Sequence, residues 1–247
     1  MSLFSFSWFA NFDQCIVELK TLAMPEEWNF SDSTGTAPIL VNYFHHTFLK
    51  IYDENKIEYC NDYCIFNTGL VTSNQEEIFA FFQKNKKPNA TIPWFFHGWR
   101  KASDRDLVKF AKLPETANYF TDAADLIYDI KLDLRVNIDH IIQDNKERFP
   151  EPFNTMDEYL LGNILQGTID DAKRRIKRNY KTAIPQYFRG KLQLLLPLCL
   201  KQKAKADLAL VIEKENGTYR ASTCLTLNMA INNARLIAKP DDEWLKA

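Results

Sequence analysis

Periodicity in this chain comes in blocks, and that order restricts its fold more than any other feature. Two segments of helical spacing lead, runs of strand character follow, and then come helices, strands and a last helix. A parallel sheet needs a crossover, usually a helix, between neighbouring strands, so it reads as regular βαβ alternation. That alternation is missing. The expectation is an α+β fold, with a mainly antiparallel sheet packed by several helices, in a single domain over residues 1–247.

Phe12, Ile16, Leu19 and Leu22 share one face of a helix over Phe9–Leu22, which Met24-Pro25 stops. A polar loop is expected over Ser31–Thr36. Pro38 suits the first turn of a second helix to about Asp53, with Leu40, Phe44, Thr47, Phe48 and Ile51 facing inward. Asn61-Asp62 tolerates positive φ and turns a hairpin from Lys56–Cys60 into Tyr63–Val71. Helices and hairpin together outline a winged helix, which would make a subdomain of residues 1–72. Glu77–Gln83 and Pro93–Trp99 read as strands around a basic loop, Lys84–Pro93, while residues 100–117 show no assignable period.

Ala123–Tyr128 and Ile138–Phe149 are expected as short helices. A long one runs from Met156 to about Asn179, capped by Asn154 or Thr155. Pro185 ends any continuation. Lys191–Leu200, Asp207–Lys214 and Thr218–Thr223 are strands, the last two joined at Glu215-Asn216-Gly217. Thr226 caps a final helix, Leu227–Ile237.

A formal charge of -1 gives no global pull toward nucleic acid or anionic lipid. Five cysteines without a CxxC pair fit reduced thiols in a cytoplasm better than a disulfide framework. No basic region precedes the aromatic residues 1–12, and no run of 18 apolar residues occurs. Neither an export signal nor a membrane partner is therefore expected.

Locally the charge is uneven. From Ala172 to Ala206 there is no Asp or Glu, yet eleven Lys and Arg, with Tyr180, Tyr187 and Phe188 interleaved. Clustered cations attract phosphate, and rings stack on bases. A run of cations is also an ordinary solvated helix end. On a wheel with Leu161 at zero, the stripe Leu161, Ile164, Leu165, Thr168, Ala172 and Ile176 is apolar. Arg175 then falls at about -40° and Asn179 near 0°, both inward. A buried guanidinium needs a negative partner, either Asp207 or Glu213 or a bound anion. On the last helix, Asn228, Asn232 and Arg235 lie together beside the apolar stripe, suited to phosphate or a base edge, or to a neighbouring loop.

Catalytic templates fit poorly. Lys214 follows Glu213 without the spacer of a restriction-type nuclease, and no Walker, Rossmann, zincin or nucleophile-elbow pattern occurs. Cys60 and Cys64 lack the further ligands that zinc needs, so no metal site is assigned and the cofactor stays open. Glu213, Asp207 and His140 are the residues available as acids or bases.

Several motifs resemble one uncharacterised bacterial domain family, a domain of unknown function. They include Tyr43-Phe44-His45-His46-Thr47-Phe48, Ile65-Phe66-Asn67-Thr68-Gly69-Leu70, Ile184-Pro185-Gln186-Tyr187 and Asn232-Asn233-Ala234-Arg235-Leu236. The resemblance covers nearly the whole chain. It implies a role near RNA, because that family occurs alone or joined to cold-shock or LOTUS-type helix-turn-helix modules; it implies no reaction. The reading is binding of RNA or a phosphate-bearing nucleotide in the C-terminal half. Arg175, Lys181 and Arg235 would meet phosphate, Tyr187 would stack, and Asn179, Gln193, Asn228 and Asn232 would line the site. A hydrolase, nuclease or transferase acting on RNA ends or nucleotides, and a protein-interaction module, are the alternatives.

Overall fold

Asn11 begins the first long helix by accepting the amide of Gln14 on its side chain, as expected of a cap. The computed structural model describes residues 1–30, 35–87, 90–240 and 244–245; residues 31–34 of the first expected loop and residues 88–89 of the second lie outside them. Backbone contacts group the chain into two units, Met1–Asn118 and Tyr119–Ala247.

In the first unit, α1 (Leu3–Phe6), β1 (Ser7–Trp8), α2 (Phe12–Leu22) and α3 (Pro38–Asp53) precede β2 (Glu58–Cys60), β3 (Tyr63–Val71), β4 (Glu77–Lys84) and β5 (Trp94–Lys101). The sheet order is β1-β5-β4-β3-β2, with β1 parallel to β5 and the other pairs antiparallel. The hairpin is no free-standing wing: β3 pairs with β4 along most of its length. The inward stripe of α3 is buried as its spacing predicts, and Phe44 meets Phe66 and Trp99. On the opposite face Leu107 and Phe110 cover Ile65, Phe79 and Phe81. Residues 100 and 101 end β5, and residues 102–117 cover the sheet with largely irregular backbone, which is why the stretch shows no period.

The second unit holds β6 (Leu134–Val136), α4 (Ile138–Asn145), α5 (Glu158–Arg178), β7 (Ile184–Phe188), β8 (Lys191–Leu198), β9 (Leu208–Glu215), β10 (Thr218–Thr226) and α6 (Leu227–Arg235). Its sheet runs β6-β10-β9-β8-β7, with only β6 to β10 parallel. The fold is α+β, with two mixed, mainly antiparallel sheets where one was expected. Leu194, Leu196, Leu198, Leu208, Leu210 and Ile212 alternate to one face and bury against residues of α4 and α5. α6 packs on β7, β9 and β10.

Two expectations need correcting here. The cap of α5 is Asp157, whose carboxylate accepts the amides of Tyr159 and Leu160, while Asn154 and Thr155 sit in a 3-10 turn. Pro185 stands inside a strand rather than ending a helix. A proline is tolerated because β7 is the sheet edge. No helix among the described residues is long and apolar enough to cross a membrane.

Candidate nucleic-acid interface

The acid-free stretch turns into a surface by way of one contact. Arg175, in the last turn of α5, donates from Nη1 to Sγ of Cys199, 3.1 Å away, just past β8. Burial lifts the Cys199 thiol above its ordinary range, against the opposing pull of the guanidinium. Asp207 then folds the loop that follows, accepting the amides of Leu200 and Lys201 at 2.8 and 3.0 Å. A bridge between Gln202 and Lys205, with Ala204 at φ 66°, closes it into a tight turn. The contact therefore sets the end of α5 beside the turn that carries Lys201, Lys203 and Lys205.

Arg174, Lys177, Arg178, Lys201, Lys203 and Lys205 are all exposed, and none forms an ion pair among the described residues. Elsewhere in the stretch Lys173 reaches Asp170, Lys191 bonds Glu213, and the Arg189 guanidinium lies 5.2 Å from the Phe188 ring centroid. Below the helix end a cavity of about 300 Å³ is lined by Lys181, Lys239, Ile127, Ile184 and Pro185 and by Tyr180, whose ring is 63% exposed. That volume is at the lower end of small-ligand sites.

The residues expected to form one cleft are spread out. Arg175 is half-buried, not interior, and its partner is a thiol in place of a carboxylate or anion. Asn179 is exposed and serves as a cap, accepting the Lys181 amide at 3.0 Å. Tyr187 packs edge-to-face on Tyr119, 4.9 Å between centroids. Arg235 is buried to 8% exposure, Asn232 is half-buried and Asn228 is exposed. Lys181 alone of the group lines the larger cavity. Gln193 lines a separate one of about 190 Å³ with Asp125, Lys214 and Tyr219.

The residues considered as acids and bases carry structural bonds. Asn233 donates to Gln186 (3.1 Å), Gln186 to Gln193 (2.9 Å), and Gln193 to Glu213 (3.2 Å), a polar line from α6 across β7, β8 and β9 that Lys191 completes at Glu213. Burial raises the Glu213 pKa, but the bonds from Lys191 and Gln193 outweigh it and hold the carboxyl below its usual range. Asp207 and Glu213 stand about 20 Å apart along the strand. His140 is exposed on α4 and meets Asp144 at 3.1 Å, one turn on, and not its neighbour Asp139. No cluster of three or more His, Cys, Asp and Glu groups fit to hold a metal occurs among the described residues. The arrangement can hold an anion electrostatically and offer a ring to stack on. Tyr180 and Lys239 were missed as site residues; an aromatic one position past a helix cap was the available clue for the first.

Fold and surface define a class: an α+β chain with two five-stranded mixed sheets, whose second unit gathers exposed cations around the end of one helix. The sequence from residue 19 to residue 244 matches the domain of unknown function DUF3825, and the chain belongs to that family. No curated protein and no solved structure matches it.

Proposed function

We propose that the chain binds RNA, or another phosphate-bearing nucleotide, on the basic surface formed by the end of α5 and the 201–205 turn. The observation that carries this reading is the set of six exposed cations that form no ion pair among the described residues, drawn from two segments that Arg175 and Cys199 hold together. Like charges placed this close repel in the free protein, so a polyanion that neutralises them is favoured. The exposed Tyr180 ring beside the 300 Å³ cavity offers a stacking place for a base. The family resemblance supports the same partner, through its occurrence beside RNA-associated modules.

The test is fluorescence anisotropy with a labelled single-stranded RNA. Neutralising about four phosphates predicts an affinity loss of roughly 50-fold between about 50 and 200 mM salt. Arg174→Ala with Arg178→Ala is expected to lower the log–log salt slope by about 1.4, since each single-strand phosphate contact contributes about 0.7. No binding at low salt, or an unchanged slope in that variant, refutes the proposal.

A further inference from the structure

The first unit contains a second acid-free stretch. Between Ile78 and Ser103 there is no Asp or Glu, while Lys84, Lys86, Lys87, Arg100 and Lys101 fall inside it. Lys84 ends β4, and Lys86 and Lys87 stand in the loop toward β5. These three lysines are exposed, and none forms an ion pair among the described residues.

Beside them opens a cavity of about 400 Å³, lined by Trp8, Asn85, Lys87, Thr91, Ile92 and Phe95 among others. Trp8 stacks on Phe95 across the parallel β1–β5 pair, centroids 5.3 Å apart and planes at 29°, yet the indole stays 45% exposed. Lys87 Nζ lies 5.9 Å from the Trp8 ring centroid. Asn85 braces the wall: its amide donates to Pro93 O, its Nδ2 to Ile92 O, and its Oδ1 accepts the Lys87 amide. The site is therefore a ring fixed from one side by another ring, with the Lys87 ammonium at its rim and Lys84 and Lys86 close by in the chain.

We infer that this cavity takes an unpaired base of a single-stranded nucleic acid, stacked on Trp8, with the adjoining phosphates on Lys84, Lys86 and Lys87. Stacking on an aromatic side chain suits any base, because every base has a π-face, and the cations follow the backbone. A base inside a duplex has both faces covered by its neighbours and cannot enter. An apolar protein segment would cover the indole and leave three cations unneutralised, so the charge selects a polyanion. The site stands on residues of the first unit alone and is independent of the α5 surface.

The experiment uses the full chain and a 4-thiouridine-bearing single-stranded RNA of about eight nucleotides, within the usual site size. Photocrosslinked peptides are mapped, and affinity is measured by competition. Crosslinks at Trp8, Phe95 or the 84–87 segment are expected. Trp8→Ala should weaken binding about tenfold, Trp8→Phe should retain most of it, and a duplex of the same sequence should compete poorly. Should Trp8→Ala lose its fold by circular dichroism, Lys86→Ala with Lys87→Ala removes rim charge without touching the ring pair and should weaken binding about fivefold. Crosslinks confined to residues 173–205, unchanged affinity in the lysine variant, or equal competition by duplex or by a mononucleotide would each overturn the inference. The Arg174 and Arg178 variant separates the two surfaces, since it should leave the Trp8 crosslink in place.

Discussion

Gly69 has φ +73°, and a Cβ built there would lie 2.5 Å from the hydroxyl oxygen of Tyr43, which donates to Thr68 O at 2.8 Å. Backbone strain and overlap add, so Gly69→Ala should cost about 2–4 kcal/mol in urea unfolding. Adding Tyr43→Phe removes the clashing oxygen, and the pair should lose less than the two single variants summed. Arg175 shows how a residue can be legible in chemistry and misplaced in space. The expected stripe of α5 omitted Ile169, which is fully buried. The buried residues Leu161, Leu165, Ile169, Ala172 and Ile176 centre at about +40° on the same wheel, which leaves Arg175, at about -40°, on the flank. The charge suggested a carboxylate or an anion as its partner; that a thiol would take the place has no trace in sequence spacing, because Cys199 lies on another element.

Among elements, those with a long stripe or a turn pair were readable: α2, α3, α5, the Asn61-Asp62 hairpin and the Asn216-Gly217 turn. β1, β6 and β7 were not, being two, three and five residues long, with a proline in the last. Pairing with distant strands, and not their own propensity, makes them strands. The polar line across β7, β8 and β9 likewise exists only once the register is set. Its end carries a pH prediction. A carboxyl held below its ordinary range in the folded chain adds stability above the unfolded pKa of about 4.3 and loses it as pH falls through the folded value. Glu213→Gln should therefore lower the urea midpoint near neutral pH, and the two proteins should converge toward pH 3. An equal gap at both ends of that range contradicts the assignment.

On the scale of the whole molecule, charge and core are divided differently. Each unit has its own five-stranded sheet and buried cluster. Residues 119–171 hold twelve acidic and four basic residues, and residues 172–206 hold eleven basic and no acidic ones, so a net charge of -1 conceals strong local segregation. A fragment of residues 119–247 is expected to keep a cooperative urea transition and the salt-dependent RNA affinity of the α5 surface; a broad, non-cooperative melt of that fragment goes against it. The sequence alone carried the location of the charge. It could not carry which cations stay unneutralised, since that depends on where the acids of residues 119–171 come to lie.

The sheet borders have a consequence of their own. β1, β2 and β6 are three residues or fewer, and β7, the longest of the four outer strands, contains Pro185. A neighbouring chain that tried to extend either sheet would find a row of donors and acceptors too brief, or interrupted by a residue lacking N–H, to zip onto. The molecule can thus hold the twenty-four strand residues of β4, β8 and β9, with their long apolar runs, and still resist templating its own copies into fibres.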